Sequence, residues 1–336
     1  MIKIAPKSAL NARRSRLVKR LNVARAPGLA PMAGAAYFLF ALLLLAVAAL
    51  GLPYWNEPSK VDGELRVWVF VVSLLALLGL LLAVGVGITG KRTGVLWSNR
   101  NTYSLSRLQV VMWTWLVLSA LLAVTISRAW GLFGQGASSG LPAALNIFIP
   151  SQLLTVMGIS IASSAAAPTI LSLKSQNQPP SQSALDAAAA RTNADVHAVG
   201  SVYVRPDECP PMIKDLFQSD DASAAGTVDV SKVQQFAVTV ILWAVYLGML
   251  VQLMFTGVSG FVPDNLAKGT TGLPALSDSF VYLLGISHAG YLAYKAAPMT
   301  QPAAGNAPGT PPSGGNSSQQ PASALLPRPL PPKTLP

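Results

Sequence analysis

Ionisable and polar side chains recur at helical spacing within a hydrophobic segment near the end of the chain, residues 276–297. Successive intervals of four, three, three, three and four residues predict one helical face that carries Asp278, Tyr282, Gly285, His288, Tyr291 and Lys295. An ionisable group inside a membrane is costly, and by default it indicates a transport pathway or a binding partner. Because imidazole titrates near neutral pH, His288 is a candidate for a proton relay or a pH switch.

A purely structural role for the same histidine is the alternative. Neutral His288 could form a hydrogen bond with a second polar segment, residues 144–171, in which Ser160 occupies the position equivalent to Ser287. Such bonds between membrane helices average about 0.6 kcal/mol, which is enough to orient two helices without any transport. The candidate intramembrane polar site comprises Gln152, Ser160, Tyr282, Ser287, His288 and Tyr291. The sequence is compatible with both roles.

Motifs of the common enzyme classes are missing from the sequence. It contains no HExxH zinc motif and no Gly-x-Ser-x-Gly nucleophile motif, and Cys209 is its only cysteine. Residues 85–92 (GVGITGKR) resemble a phosphate-binding loop, but Arg92 replaces the hydroxyl residue that would hold magnesium. We therefore predict no enzymatic activity, no cofactor and no metal site.

The composition is that of a membrane protein with several spans. Hydrophobic residues make up 51% of the chain and charged residues only 11%, with a mean hydropathy of +0.46, whereas soluble domains carry about 25% charged residues. The net charge is +11, and eight of the 24 basic residues lie within the first 25 positions. This placement is typical of cytoplasmic flanks of membrane spans, so we predict no nucleic-acid partner.

Six hydrophobic stretches of about 20 residues each predict six transmembrane helices, since 20 helical residues span the roughly 30 Å hydrocarbon core. They cover residues 33–52, 67–89, 108–127, 144–171, 233–255 and 276–297. The chain then divides into a basic amino-terminal segment (1–32), a first hairpin (33–90), two further hairpins (103–171 and 229–298), an insertion (172–228) and a tail rich in proline, glycine and serine (299–336). The composition of the tail predicts disorder.

The two later hairpins share four motifs in the same order. Each begins with a cap residue and a basic residue, leaves its first helix through Leu-Pro, and returns through Gly-Ile-Ser to Ala-Ala-Pro. Ser104 and Asp229 are the predicted N-caps, because both residue types accept hydrogen bonds from the first helical turn. We predict an all-α membrane fold of six helices with a parallel internal repeat of two helical hairpins.

The insertion is more polar than the segments on either side of it. Residues 176–191 are predicted to form a linker, residues 197–205 alternate like a β-strand, and residues 212–217 favour a short helical turn. Its few apolar residues argue against an independent core. We interpret four of its acidic residues as solvated charges, namely Asp207, Glu208, Asp220 and Asp221.

Basic residues at the ends of the spans predict the orientation of the chain. Connections rich in Lys and Arg belong in the cytoplasm, so both termini are predicted to be cytoplasmic. At these ends we expect contacts with anionic lipid headgroups or with a protein partner. The candidate contact residues are Arg107, Gln109, Lys232, Gln234 and Lys295. A homo-oligomer is compatible with the same pattern.

Three motifs of the chain resemble those of uncharacterised bacterial multi-pass inner-membrane proteins. They are SLSRLQ (residues 104–109), VSKVQ (230–234) and GISHAGYLAYKA (285–296). The resemblance covers residues 95–175 and 205–298, and it implies a bacterial inner-membrane location without a particular activity. From the residues themselves we expect a non-enzymatic membrane scaffold or signalling component. The alternative is a small ion or proton channel or transporter that uses the polar faces of the fourth and sixth spans.

Overall fold

A computed structural model describes residues 29–50, 62–133, 144–192, 196–206, 209–257 and 271–297. The predicted disordered tail, most of the basic amino-terminal segment, and Asp207 and Glu208 lie outside these ranges. The described helices are α1 (Leu29–Leu50), α2 (Asp62–Thr89), α3 (Leu105–Ala129), α4 (Ser151–Lys174), α5 (Gln182–Thr192), α6 (Val230–Thr256) and α7 (Asp278–Ala296). The described strands are β1 (Ile147–Phe148), β2 (His197–Val199), β3 (Val202–Val204) and β4 (Thr271–Gly272).

Four of these helices are long and apolar enough to cross a membrane, namely α2 from Gly63 onwards, α3, α4 and α6. They fit a multi-pass membrane protein. Helix α1 contributes a shorter apolar stretch, Gly34–Val47, and α7 has 19 residues, among them Asp278, His288 and Lys295. The six-span count and the internal repeat therefore stay predictions.

The predicted helix starts of the two later hairpins are confirmed. The Ser104 hydroxyl accepts a hydrogen bond from the Arg107 amide of α3, at 3.5 Å. The Asp229 carboxylate accepts from the amides of Ser231 and Lys232 in α6, at 3.0 and 3.2 Å. Different residue types thus satisfy the free amides of the two helix starts.

The predicted start of the fourth span, at residue 144, is wrong. Residues 147–148 are extended instead, and β1 pairs in parallel with β4, with Ile147 opposite Thr271 and Phe148 opposite Gly272. Helix α4 begins only after Pro150, whose φ of −60° and ψ of 142° place it just outside the helix. Because β1 precedes α4 and β4 precedes α7, these two helices begin at the same end of the bundle.

Helices α3 and α6 form the centre of the bundle. Their aromatic side chains meet in two pairs, with ring centroids 6.0 Å apart for Trp113 and Tyr246 and 6.1 Å apart for Trp115 and Trp243. Helix α2 packs against α1, α3 and α6, and α7 packs against α4 and α6. The indole nitrogen of Trp115 donates to the Leu74 carbonyl of α2 at 2.9 Å, which gives this buried polar atom a partner inside the apolar core.

The two ends of the bundle are marked by different charged residues. At the insertion end, α3 and α6 begin and α4 and α7 end, and the insertion packs there. At the opposite end, which we call the Arg66 end, α2 begins and α3 and α6 finish. Arg66 is buried there and donates to the carbonyls of Met254 and Phe255 at 2.7 and 3.0 Å, and to that of Leu132.

The insertion is more ordered than its composition predicts. Part of the expected linker is instead helix α5, because a run of alanines between Gln182 and Thr192 favours helix. The predicted strand-like stretch is confirmed as the antiparallel β2–β3 hairpin, and the helical turn is confirmed as the 3₁₀ helix Ile213–Leu216. A small core joins α5 and the hairpin to residues 222–225, and it consists of Ala188, Tyr203, Ala222 and Ala225.

Candidate functional site

Asp220 of the insertion is the centre of a cluster of buried charges. Its Oδ1 lies 2.7 Å from Nη2 of Arg100 and 2.9 Å from Nζ of Lys232, and its Oδ2 lies 2.5 Å from Nζ of Lys295. Arg100 precedes α3, Lys232 lies in the first turn of α6, and Lys295 lies in the last turn of α7. One carboxylate therefore joins the insertion to three separate parts of the bundle. We call these four residues the Asp220 cluster.

The electrostatics of the cluster favour the ionised carboxylate. Burial alone would raise the pKa of Asp220, but the positive charges of Arg100, Lys232 and Lys295 outweigh it and hold that pKa well below its usual range. The neighbouring Asp221 behaves differently. Burial raises its pKa, and the single cation beside it, that of Lys174, offsets this only in part. Asp220 therefore stays charged at physiological pH, and it compensates cations rather than binding protons.

The interpretation of Asp220 and Asp221 as solvated charges is wrong. Asp221 is 6% exposed and accepts from Nζ of Lys174, the last residue of α4, at 3.1 Å. Further hydrogen bonds support the docking, because Asn101 Nδ2 donates to the Pro206 carbonyl at 2.7 Å, and the Asp229 amide donates to the Phe217 carbonyl at 2.8 Å. The basic helix ends bind the insertion's acids because both would otherwise be buried without a counter-charge.

A cavity of about 330 Å³ lies beside the Asp220 cluster. Its polar wall carries four cations, Arg100, Arg107, Lys232 and Lys295, and a single carboxylate, Asp220, among the described residues. Its apolar wall combines the end of α4 with the β2–β3 hairpin and consists of Ala167, Pro168, Leu171, Val199, Val202 and Val204. The cavity thus has a strongly basic side and an apolar side.

A chain of amides extends from the insertion end into the bundle. Gln235 Nε2 lies 2.8 Å from Gln109 Oε1 and 3.2 Å from Nδ1 of His288. Gln109 in turn donates to the Thr239 hydroxyl at 2.8 Å. The predicted partner of His288 on the fourth span is therefore wrong, since Ser160 bonds within its own helix, to the Val156 carbonyl.

Tyr291 of α7 lies between Lys295 of the Asp220 cluster and Ser106 of α3. Its hydroxyl accepts from Nζ of Lys295 at 2.8 Å and lies 3.4 Å from the Ser106 hydroxyl. Tyr291 is one turn of α7 beyond His288, and both side chains are buried, at 2% exposure each. Buried polar groups of α3, α6 and α7 thus lie both beside the surface cavity and in the interior of the bundle.

Some predicted members of the polar site lie elsewhere. Tyr282 is 68% exposed, because it is nine residues, or about two and a half helical turns, from Tyr291 and so points to the opposite side of α7. The single helical face predicted for the six polar residues is therefore wrong. Gln152 is half-buried and bonds to Asp278 at the start of α7, and Ser287 is buried with no hydrogen-bond partner among the described residues.

The five residues predicted to contact headgroups or a partner differ in burial and in their contacts. Lys232 and Lys295 are buried in the Asp220 cluster, and Gln109 is buried in the amide chain. Arg107 is half-buried and donates to the Trp97 carbonyl. Gln234 is exposed, and it is Gln235, a residue that the sequence did not single out, that reaches Gln109.

No protein family, no curated protein and no solved structure matches the chain. In the described ranges, no three histidine, cysteine or acidic side chains gather closely enough to hold a metal ion. What the site can do must therefore be inferred from its own geometry, which consists of a docked insertion, a basic cavity and an amide chain.

Proposed function

We propose that the protein is a non-enzymatic scaffold or signalling component of the bacterial inner membrane, and that its insertion is the part that partners recognise. The observation that carries this proposal is the Asp220 cluster, which attaches the insertion to α3, α6 and α7 through one carboxylate. A loop held by three cations presents a defined surface next to the membrane. Ordering a surface in advance reduces the entropy lost when a partner binds.

The location and orientation in this proposal rest on charge and on motif resemblance. The basic connections support a cytoplasmic insertion with both termini on the same side. The resemblance of three motifs to those of bacterial inner-membrane proteins supports that membrane. Cys209, the only cysteine of the chain, lies exposed in the insertion. Labelling of this residue therefore reports on which side of the membrane the insertion lies.

The partner surface in this proposal includes the exposed apolar side chains of the insertion. Met212 is 44% exposed and Ile213 is 73% exposed, side by side at the start of a 3₁₀ turn. The position of this turn is fixed, because the buried Asp215 carboxylate accepts a hydrogen bond from the Met212 amide at 2.8 Å and pairs with Arg205. Rigid, exposed apolar residues of this kind favour contact with another protein.

Cross-linking from Cys209 tests the scaffold proposal. A membrane-impermeant maleimide should label Cys209 in inside-out vesicles and leave it unlabelled in intact spheroplasts. A photo-cross-linker on Cys209 should then give one discrete adduct in cells, which Ile213→Asp should abolish and the matched surface change Val228→Asp should retain. Labelling from the outer face, or an adduct equally insensitive to both substitutions, would contradict the proposal.

A small proton or ion channel is the second candidate function. The observation that favours it is the amide chain of Gln109 and Gln235, which ends at His288 inside the bundle. Nε2 of His288 has no hydrogen-bond partner among the described residues. A buried ring nitrogen without a partner can exchange a proton or contact a water in a pathway.

Flux through liposomes separates the two functions. If the amide chain is a pathway, purified protein should dissipate a proton gradient, and His288→Ala should slow this by about tenfold or more. Tyr282→Ala, on the exposed side of the same helix, is the matched control and should leave the rate unchanged. The scaffold proposal expects no flux above empty liposomes from any of the three proteins.

A further inference from the structure

We propose that the cavity at the insertion end binds a phosphate group that is attached to an apolar body. This ligand site goes beyond the scaffold role, and it does not depend on whether the insertion recruits a partner. Two sources share the chemistry, an acidic phospholipid of the surrounding bilayer and a soluble phosphate ester. The apolar wall of the cavity favours the lipid.

The charge of the cavity wall requires an anion. Four cations face a single carboxylate among the described lining residues, which leaves a formal excess of three positive charges. The neighbouring Asp221 does not reduce this excess, because Lys174 already pairs with it. Asp229 is occupied as the cap of α6, where it accepts from two backbone amides. Closely spaced cations around a partly enclosed space strongly attract an anionic group such as a phosphate.

Arg107 is the cation whose charge is least compensated. Within the described ranges no carboxylate lies at ion-pair distance from its guanidinium, and its one hydrogen bond is to the Trp97 carbonyl. It therefore retains donors for a ligand, and arginine can hold two phosphate oxygens at once. Arg107 also lies in the first turn of α3, where the helix dipole disfavours a cation unless an anion is near.

The apolar lining residues of the cavity suit hydrocarbon. Ala167, Pro168 and Leu171 belong to the last turns of α4, and Val199 and Val202 belong to the β2–β3 hairpin. Val199 is 55% exposed, so apolar surface continues outwards from the cavity. A volume of about 330 Å³ is at the lower end of the range for small-molecule sites, about 300 to 1,000 Å³. It suits a headgroup and its first carbons, with longer chains extending outside.

Native mass spectrometry of the full chain in a non-ionic detergent tests this proposal. The probes are dioctanoyl phosphatidylglycerol as the lipid, glycerol 3-phosphate and inorganic phosphate as soluble phosphates, and octanoate as an anion without phosphate. We expect one bound phosphatidylglycerol, and about tenfold weaker binding after Arg107→Gln because a charged hydrogen-bonding partner is lost. Arg92→Gln removes the same charge from an exposed position outside the cavity wall and should bind as the wild type does.

A second pair of variants distinguishes a loss of ligand binding from misfolding. Val199→Asp adds a carboxylate to the cavity wall from an exposed hairpin position, so it should weaken binding while leaving the cations intact. Val228→Asp makes the same change at an exposed residue that does not line the cavity and should have no effect on binding. Unfolding temperatures of all four variants should stay close to that of the wild type.

The outcomes identify the source of the phosphate or overturn the site. Binding of phosphatidylglycerol alone assigns the ligand to the bilayer, whereas equal binding of glycerol 3-phosphate, with the same loss in Arg107→Gln, assigns it to a soluble ester. Octanoate that binds as tightly as phosphatidylglycerol would overturn the phosphate assignment. No binding of any probe, or equal binding by Arg107→Gln and Arg92→Gln, would overturn the site itself.

Discussion

Both ends of the helical bundle are held by buried charges, but the partners of those charges differ. At the Arg66 end, one guanidinium donates to the backbone carbonyls of Met254, Phe255 and Leu132. At the insertion end, one carboxylate, Asp220, accepts from three cations. At the Arg66 end, the named acceptors are backbone carbonyls at the ends of the bundle helices. At the insertion end, the acceptor is an acidic side chain from a separate part of the chain.

Helix polarity explains this difference. The carbonyls at the carboxyl end of α6 carry partial negative charge, so they stabilise a cation there. The fit is close, because Gly257 ends α6 with φ of 71° and a Cβ at that position would lie 3.2 Å from the Arg66 guanidinium. At the amino end of α6 the dipole is reversed, so Lys232 requires an anion, and the insertion supplies it.

Asp220→Asn should have the largest effect on stability. It leaves Arg100, Lys232 and Lys295 without their shared counter-charge, and removing one member of a buried ion pair costs about 3 to 5 kcal/mol. Thermal unfolding in detergent measures this loss, and faster proteolysis within the insertion should accompany it. The matched change Asp186→Asn, at an exposed residue of α5, should be neutral. Equal unfolding temperatures for the two variants would remove the proposed importance of the cluster.

Arg66→Ala should have the next largest effect. Hydrogen bonds from a charged donor contribute about 1.5 to 3 kcal/mol, but the carbonyls left behind are neutral, so the cost should be smaller than that of Asp220→Asn. Arg66→Lys keeps the charge without the planar fork, and it should recover part of the loss. The same thermal assay applies. A cost above that of Asp220→Asn would reverse the comparison of the two ends.

Acid should weaken the insertion end of the bundle. The pKa of Asp220 is lowered in the folded protein, so its stabilisation is present above the unfolded value of about 3.9 and is lost as pH falls through the folded pKa. The raised pKa of Asp221 acts in the opposite direction and offsets part of this loss. Unfolding temperature should therefore fall below about pH 4. That fall should be retained in Arg66→Ala and reduced in Asp220→Asn.

Gln235→Leu should have the smallest effect of the four. It removes the hydrogen bonds to Gln109 and His288, and bonds of this kind between membrane helices are worth about 0.6 kcal/mol, with a maximum of about 1.7 kcal/mol. Gln234→Leu, on the exposed side of α6, is its neighbour control and should be neutral. If Gln234→Leu destabilised the protein more than Gln235→Leu, the register of α3 against α6 would be wrong.

Local features were predictable from the sequence, because they depend on neighbouring residues. The caps at Ser104 and Asp229, the strand-like alternation of residues 197–205 and the turn at residues 212–217 each follow from a few adjacent side chains. The approximate positions of the long apolar helices follow from hydrophobic length. The start of α4 was missed because it depends on β4, which comes 124 residues after β1 in the pairing of Ile147 with Thr271.

The candidate site was harder to predict, because its partners are distant in sequence. Asp220 is 120 residues from Arg100 and 75 from Lys295, and nothing local distinguishes it from a solvated acid.

The register of α3 against α6 was also missed. Aligning these two helices by their caps pairs Gln109 with Gln234. The buried faces instead pair Gln109 with Gln235, 126 residues apart. One signal could have found this register, namely the three- and four-residue intervals that link the inward-facing Lys232, Gln235, Thr239, Leu242 and Tyr246.

The order of synthesis gives the Asp220 cluster a further consequence. Arg100 is made before Asp220, whereas Lys232 and Lys295 follow it by 12 and 75 residues. The carboxylate therefore has one of its three cations at first, and it acquires the last only when α7 is in place. A chain that stops short of Lys295 should hold its insertion loosely, and a loosely held segment is opened more often to proteases. Complete attachment of the insertion thus distinguishes a finished chain from an unfinished one.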